Sequence, residues 1–94
     1  MGDVLTEAEV ADRVAGLDAW AVVDGKLHRD FAFADFVEAF GFMTRVAMVA
    51  EKLFHHPDWS NSWNRVEISI VNHDAGGISE QCFELAGRID DLAR

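Results

Sequence analysis

Three of the four histidines in this chain fall where chemistry could use them: His55 and His56 side by side before the only proline, Pro57, and His73 next to Asp74. Glu51 precedes His55 by one helical turn, so the two share a face of any helix that contains them. Three chemistries suit such a set. The first is purely structural, a histidine cation meeting the negative carboxyl end of a helix. The second is a metal site, since Glu51-x-x-x-His55 has usable ligand spacing and His73 could complete the set. Against it, adjacent histidines are poorly placed to reach one ion, and no second histidine stands one turn away as in H-E-x-x-H motifs. No metal is therefore expected. The third is metal-free proton transfer, because imidazole titrates near pKa ~6.5 and can donate and accept protons at neutral pH. Glu51 and the helix end both favour a protonated His55, which suits it to a general acid, with His73 facing it across a cleft. Trp59 and Trp63 could offer a flat wall to an aromatic ligand, or simply belong to the core.

The elements that must position these groups can be read from turn signals and periodicity. Thr6 and Glu9 form a capping box, Leu5 and Val10 the matching staple, and Val10, Val14 and Leu17 one helical face, with Gly16 as the stop. Asp24-Gly25 between extended runs marks a hairpin that pairs Val23 with Lys26, Val22 with Leu27, and Trp20 with Arg29. Alternation then places Trp20, Val22, Leu27 and Phe31 on one face and His28, a surface histidine, on the other. A long helix runs over residues 35–55, capped by Asp35 and Glu38. Phe36, Phe40, Met43, Ala47, Ala50 and Phe54 recur at the spacing of a buried stripe. A second band of Val37, Phe42, Val46 and Val49 makes this helix apolar on more than one face, which predicts a homo-oligomer formed through it.

Pro57 ends that helix. A short strand from Trp59 to Trp63, a turn at Asn64-Arg65 and an alternating strand through Val66, Ile68 and Ile70 follow. The last helix begins at Ser79, with Ile78 and Phe83 as staple and Phe83, Leu85, Ala86, Ile89 and Leu92 on its apolar face. The order α-β-β-α-β-β-α predicts an α+β fold: a four-stranded antiparallel sheet with helices packed on one face.

Composition bounds the function. The 94 residues make a single domain, 1–94, that is 50% apolar and 27% charged, too hydrophobic for disorder. Eight basic against 17 acidic residues give a net charge of −9, the wrong sign for releasing counterions from nucleic acid, so no direct nucleic-acid partner is expected. The single cysteine, Cys82, makes no internal disulfide. The amino terminus lacks the basic and apolar regions of a secretory signal, and no apolar run approaches the ~20 residues of a membrane span. Met1-Gly2-Asp3-Val4-Leu5-Thr6 fits the loose myristoylation pattern but has no polybasic support. A cytoplasmic protein without a membrane partner is expected.

The run Glu51-Lys-Leu-Phe-His55-His56-Pro57-Asp-Trp59-Ser-Asn61-Ser-Trp63, followed by His73, resembles the pterin-4a-carbinolamine dehydratase family. Ala39-Phe-Gly-Phe-Met-Thr-Arg-Val-Ala47 is similar to that family's long helix, and Gly77-Ile-Ser-Glu80 to the start of its last one. The resemblance extends from Thr6 to Asp90. It implies a cofactor-free lyase that dehydrates 4a-hydroxytetrahydropterin to quinonoid dihydropterin, recycling the pterin left by an aromatic amino acid hydroxylase. By the same resemblance His55, His56 and His73 are catalytic. Phe54, Val71, Asn72, Asp74, Glu51 and Trp59 would bind the pterin, Asn72 and Asp74 by accepting hydrogen bonds from its N–H donors. Such chemistry needs no covalent step, which leaves Cys82 without a nucleophilic role. Relatives usually carry aspartate where this chain has Cys82, and a polar residue where it has Phe54. At Cys82 a lost helix cap costing ~0.5–1 kcal/mol is expected, with a weaker active site as the other reading. Relatives of this fold also serve as dimerisation or assembly factors, and the retention of all three histidines favours catalysis over that alternative.

Overall fold

A computed structural model describes residues 3–94, so Met1 and Gly2 of the myristoylation pattern lie outside the described residues. The chain forms α1 (Glu7–Val14), β1 (Ala21–Val23), β2 (Lys26–Ala32), α2 (Phe36–Leu53), β3 (Asp58–Ser62), β4 (Arg65–Ile70) and α3 (Glu80–Ala93). The four strands make one antiparallel sheet in the order β1-β2-β4-β3. Leu27, Phe31, Val66, Ile68 and Ile70 point inward from it, against Ala39, Phe42, Val46 and Ala50 of α2 and Cys82, Leu85, Ala86 and Ile89 of α3. The outer face carries His28, Asp30 and Glu67 toward solvent. Among the described residues, no helix is long and apolar enough to cross a membrane.

Local chemistry sets the ends of these elements. Thr6 Oγ1 accepts from the Glu9 amide at 3.1 Å while Glu9 Oε1 accepts from the Thr6 amide at 2.8 Å, a reciprocal capping box. Asp35 caps α2 through the Glu38 amide at 2.8 Å. Asp24 and Gly25, both at positive φ, close the β1–β2 hairpin in the expected register, Val23 with Lys26 and Val22 with Leu27.

Several expectations are corrected. β1 is only three residues long, so Trp20 does not pair with Arg29 in the ladder. Instead the Trp20 indole Nε1 and Arg29 Nη1 both donate to Asp90 Oδ1, at 2.8 and 2.7 Å, which ties the strand entrance to α3. Val22 lies on an edge and is exposed rather than in the core. The turn after β3 is Trp63-Asn64, with Trp63 at positive φ, and Arg65 already belongs to β4.

The larger correction concerns α2. Its buried residues are Ala39, Phe42, Val46 and Ala50, whereas Phe36, Val37, Phe40, Met48 and Phe54 are exposed. The buried face is neither of the two expected bands: it takes Phe42 and Val46 from the second and Ala50 from the first, adds Ala39, and leaves Val37 exposed, the two alanines allowing close approach. Phe42 fills the space between Phe31 and Phe33, with ring centroids 4.9 and 4.8 Å away.

Candidate active site

The end of α2 places the first two histidines. The helix stops at Leu53, and Phe54 takes the left-handed conformation at φ 58°. His55 N–H donates to the Ala50 carbonyl at 3.0 Å and Phe54 N–H to the Glu51 carbonyl at 3.1 Å. This is the Schellman arrangement, with phenylalanine at the position where glycine is usual. The reversal separates the two histidines. His55 turns inward, half-buried, with Nε2 3.1 Å from the Val71 carbonyl and 3.8 Å from Cys82 Sγ. His56 stays exposed, and its Nε2 lies 2.8 Å from Glu51 Oε1. Glu51 therefore pairs with His56 and not with His55, because the expected helix through His55 ends two residues earlier.

A left-handed phenylalanine carries about 1 kcal/mol of backbone strain that glycine avoids. Phe54→Gly is accordingly expected to raise the unfolding free energy by about 1 kcal/mol in denaturant titrations. An unchanged or lower midpoint would show that the Phe54 ring has packing value in the free protein.

His73 arrives from the other side, in the loop after β4. That loop is held by Asn72: its amide N–H meets the Gly77 carbonyl at 2.8 Å, its Oδ1 accepts from the Ala75 amide at 3.0 Å, and its Nδ2 donates to Ser79 Oγ at 3.2 Å. The Asn72 side chain thus organises the loop, which the sequence did not reveal. His73 Nε2 lies 3.3 Å from Asp58 Oδ2, and Lys26 Nζ reaches the same oxygen at 2.9 Å. The Lys26 hydrogen bond, reinforced by its charge and less strongly by His73, holds the Asp58 carboxyl below its ordinary range. A carboxyl depressed in the folded state contributes stability above its unfolded pKa and loses it as pH falls through the folded value. Between pH 5 and pH 3, Asp58→Asn should therefore lose less stability than the wild type, by a modest margin because the pair is solvent-screened. Denaturant midpoints at the two pH values check this.

These groups surround one pocket of about 330 Å³. His55, His56 and His73 line it, with Phe54, Val71, Asn72 and Asp74. Leu53 and Gln81, which sequence reasoning missed, complete the lining. Glu51 sits behind His56 rather than in the pocket, and Trp59 lies half-buried on the inner face of β3 against the core. Trp63 is exposed at the hairpin turn, at the opposite end of β3 from Asp58. Neither tryptophan forms the wall considered from the sequence. A larger cleft of about 660 Å³, lined by Arg29, Arg88 and Asp90 among others, contains no histidine.

Cys82 is fully buried behind His55, and burial pushes its thiol up. The expected loss of the cap is only partial, because the Ser79 amide donates to Cys82 Sγ at 3.4 Å. Sulfur thus occupies the place of the carboxylate in the capping box. Asp90 is engaged by Trp20 and Arg29 and does not reach this site.

A small α+β sandwich with a solvent-open pocket edged by three imidazoles defines a class of domains whose pocket side chains are able to transfer protons. The family model for pterin 4 alpha carbinolamine dehydratase matches residues 3–92, and the chain belongs to that family. A protein of Solibacter usitatus (strain Ellin6076), provisionally named a pterin-4-alpha-carbinolamine dehydratase, is 51% identical over 89 residues, 95% of this chain and 94% of that protein. One from Burkholderia cenocepacia (strain HI2424), named the same way, is 50% identical over 91 residues, 95% of this chain and 89% of its own length. The crystal structure of a transcriptional coactivator/pterin dehydratase from Brucella melitensis superposes with a TM-score of 0.93 at 40% identity, covering 98% of this chain and all of that one. A pterin dehydratase-like protein identified as a RuBisCO assembly factor in the α-carboxysome shares the fold, with a TM-score of 0.65 at 24% identity over 79% of this chain and 86% of that one.

Proposed function

We propose that the protein dehydrates 4a-hydroxytetrahydropterin to quinonoid dihydropterin, recycling the pterin released by an aromatic amino acid hydroxylase in the cytoplasm. The observation that carries this reading is the convergence of His55, His56 and His73 on one 330 Å³ pocket, a size suited to a small flat ligand. Hydroxide is a poor leaving group. An acid must protonate it at C4a, and a base must take the proton from the adjacent ring nitrogen as the C=N bond forms. His55 serves as the acid and His73 as the base, while His56 orients the ring. Phe54, Val71, Asn72 and Asp74 supply contacts, with the Asp74 carboxylate accepting from pterin N–H donors. The reaction needs no cofactor. Stopped-flow ultraviolet spectroscopy of carbinolamine decay tests the reading directly: the folded wild type should accelerate decay well above buffer, and no acceleration would refute it.

The exposed apolar band of α2 favours self-association as the second part of this proposal. Phe36, Val37, Phe40 and Met48 are 48%, 78%, 54% and 68% exposed, a contiguous helical surface that an isolated domain would not keep in water. A homo-dimer or homo-tetramer through this helix covers it. Phe40→Glu should then reduce the mass seen by light scattering to that of a smaller species. An unchanged mass would remove α2 as the contact. The non-catalytic assembly role remains the alternative reading, and it requires partner binding that survives loss of the histidines.

A further inference from the structure

Every histidine of the pocket has the same ring nitrogen engaged. Nε2 of His55 lies 3.1 Å from the Val71 carbonyl, Nε2 of His56 2.8 Å from Glu51 Oε1, and Nε2 of His73 3.3 Å from Asp58 Oδ2. Carbonyl and carboxylate oxygens act here as acceptors, so each Nε2 carries the hydrogen. The three acceptors come from separate places: the end of β4, the last turn of α2 and the first residue of β3. No single local motif produces the pattern.

From this we infer that the pocket acts on its ligand through Nδ1 of the histidines, with Glu51 and Asp58 as positioning residues that fix the rings from behind. The chemical part of the inference rests on the dehydratase reading, whereas the nitrogen assignment rests on geometry alone. In the neutral ring the lone pair is on Nδ1, ready to accept a proton. In the imidazolium form the Nδ1 proton leaves and the ring returns to the tautomer its acceptor already holds, without reorientation. His55 Nδ1–H gives its proton to the leaving hydroxyl, the C4a–O bond breaks and water departs. The adjacent ring nitrogen forms the C=N bond and its proton passes to His73 Nδ1. Proton count and charge balance across the pair. Lys26, on the same Asp58 oxygen, keeps that carboxylate ionised and therefore an acceptor.

Position 73 allows an atom-by-atom test, because its side chain is 64% exposed: a methyl on Nε2 removes only the Asp58 contact and leaves the Nδ1 lone pair free, whereas a methyl on Nδ1 blocks it. Nδ1-methylhistidine and Nε2-methylhistidine, introduced at position 73 of the full chain, should separate sharply. The Nε2-methyl protein is expected to keep kcat/KM within about 10-fold of wild type, and the Nδ1-methyl protein to lose about 10²-fold or more. Equal losses, or the reverse order, would overturn the assignment. A second measurement does not depend on turnover: ¹⁵N-histidine NMR of the full chain, with and without 7,8-dihydrobiopterin as the probe. The expected result is Nε2–H tautomers for His55, His56 and His73, with the probe shifting Nδ1 of His55 and His73 more than Nε2. A neutral ring with its hydrogen on Nδ1 and none on Nε2, or a response confined to Nε2, overturns the inference. If the wild type fails to dehydrate the carbinolamine while the Nδ1 response is present, the dehydratase reading falls and the nitrogen assignment stands.

Discussion

His55→Ala is expected to lower kcat/KM for carbinolamine dehydration by ~10²–10⁴-fold, and His73→Ala by a comparable factor. That range corresponds to about 2.7–5.5 kcal/mol of transition-state stabilisation, read from single-turnover stopped-flow traces. The two losses should not add, since acid and base act in one step and removing either leaves the other without its partner. His56→Ala should cost less, because an exposed ring held by Glu51 at the rim orients rather than transfers. Circular dichroism must first show that each variant folds. His55→Ala leaves the Val71 carbonyl without its donor, a penalty of about 1 kcal/mol that a 94-residue domain can absorb. Full activity in both alanine variants would exclude the histidines from the chemistry.

Phe42→Ala should carry the largest stability cost on α2, about 3–5 kcal/mol. Phe42 is completely buried, and its ring fills the space between Phe31 and Phe33, which a methyl group cannot occupy. For a domain of this size the melting temperature should fall by roughly 15–30 °C. Phe36→Ala provides the contrast on the same helix. Phe36 is 48% exposed, so in dilute protein its removal should change stability by less than about 0.5 kcal/mol. Thermal melts at several protein concentrations separate the two sites. Concentration-independent destabilisation belongs to the core, and an effect of Phe36 that grows with concentration belongs to self-association. Equal costs for the two phenylalanines would contradict the orientation of α2.

The Thr6–Glu9 capping box, the Asp24-Gly25 hairpin register and the Asp35 cap were all legible because each depends on residues within a few positions of one another. Local sterics and short-range hydrogen bonds decide such features. The histidine cluster was legible as chemistry for a similar reason: residue type and spacing carry proton-transfer capacity without regard to context. Which helix stripe faces the sheet was not legible. Phe36-Phe40 and Phe42-Val46 have the same periodicity, and only packing against β3, β4 and α3 chooses between them. The partners of the histidines were equally hidden. Asp58 and Lys26 meet because β2 and β3 flank β4 in the sheet, a strand order that no local signal encodes. Glu51 passed from His55 to His56 because one left-handed residue, Phe54, reversed the chain. The sequence by itself determined the order of the elements, most of their caps and the set of histidines that the pocket gathers. Tertiary structure alone decided burial, the acceptors behind His55 and His73 and the pocket the histidines share, because those follow from contacts among segments that are far apart along the chain.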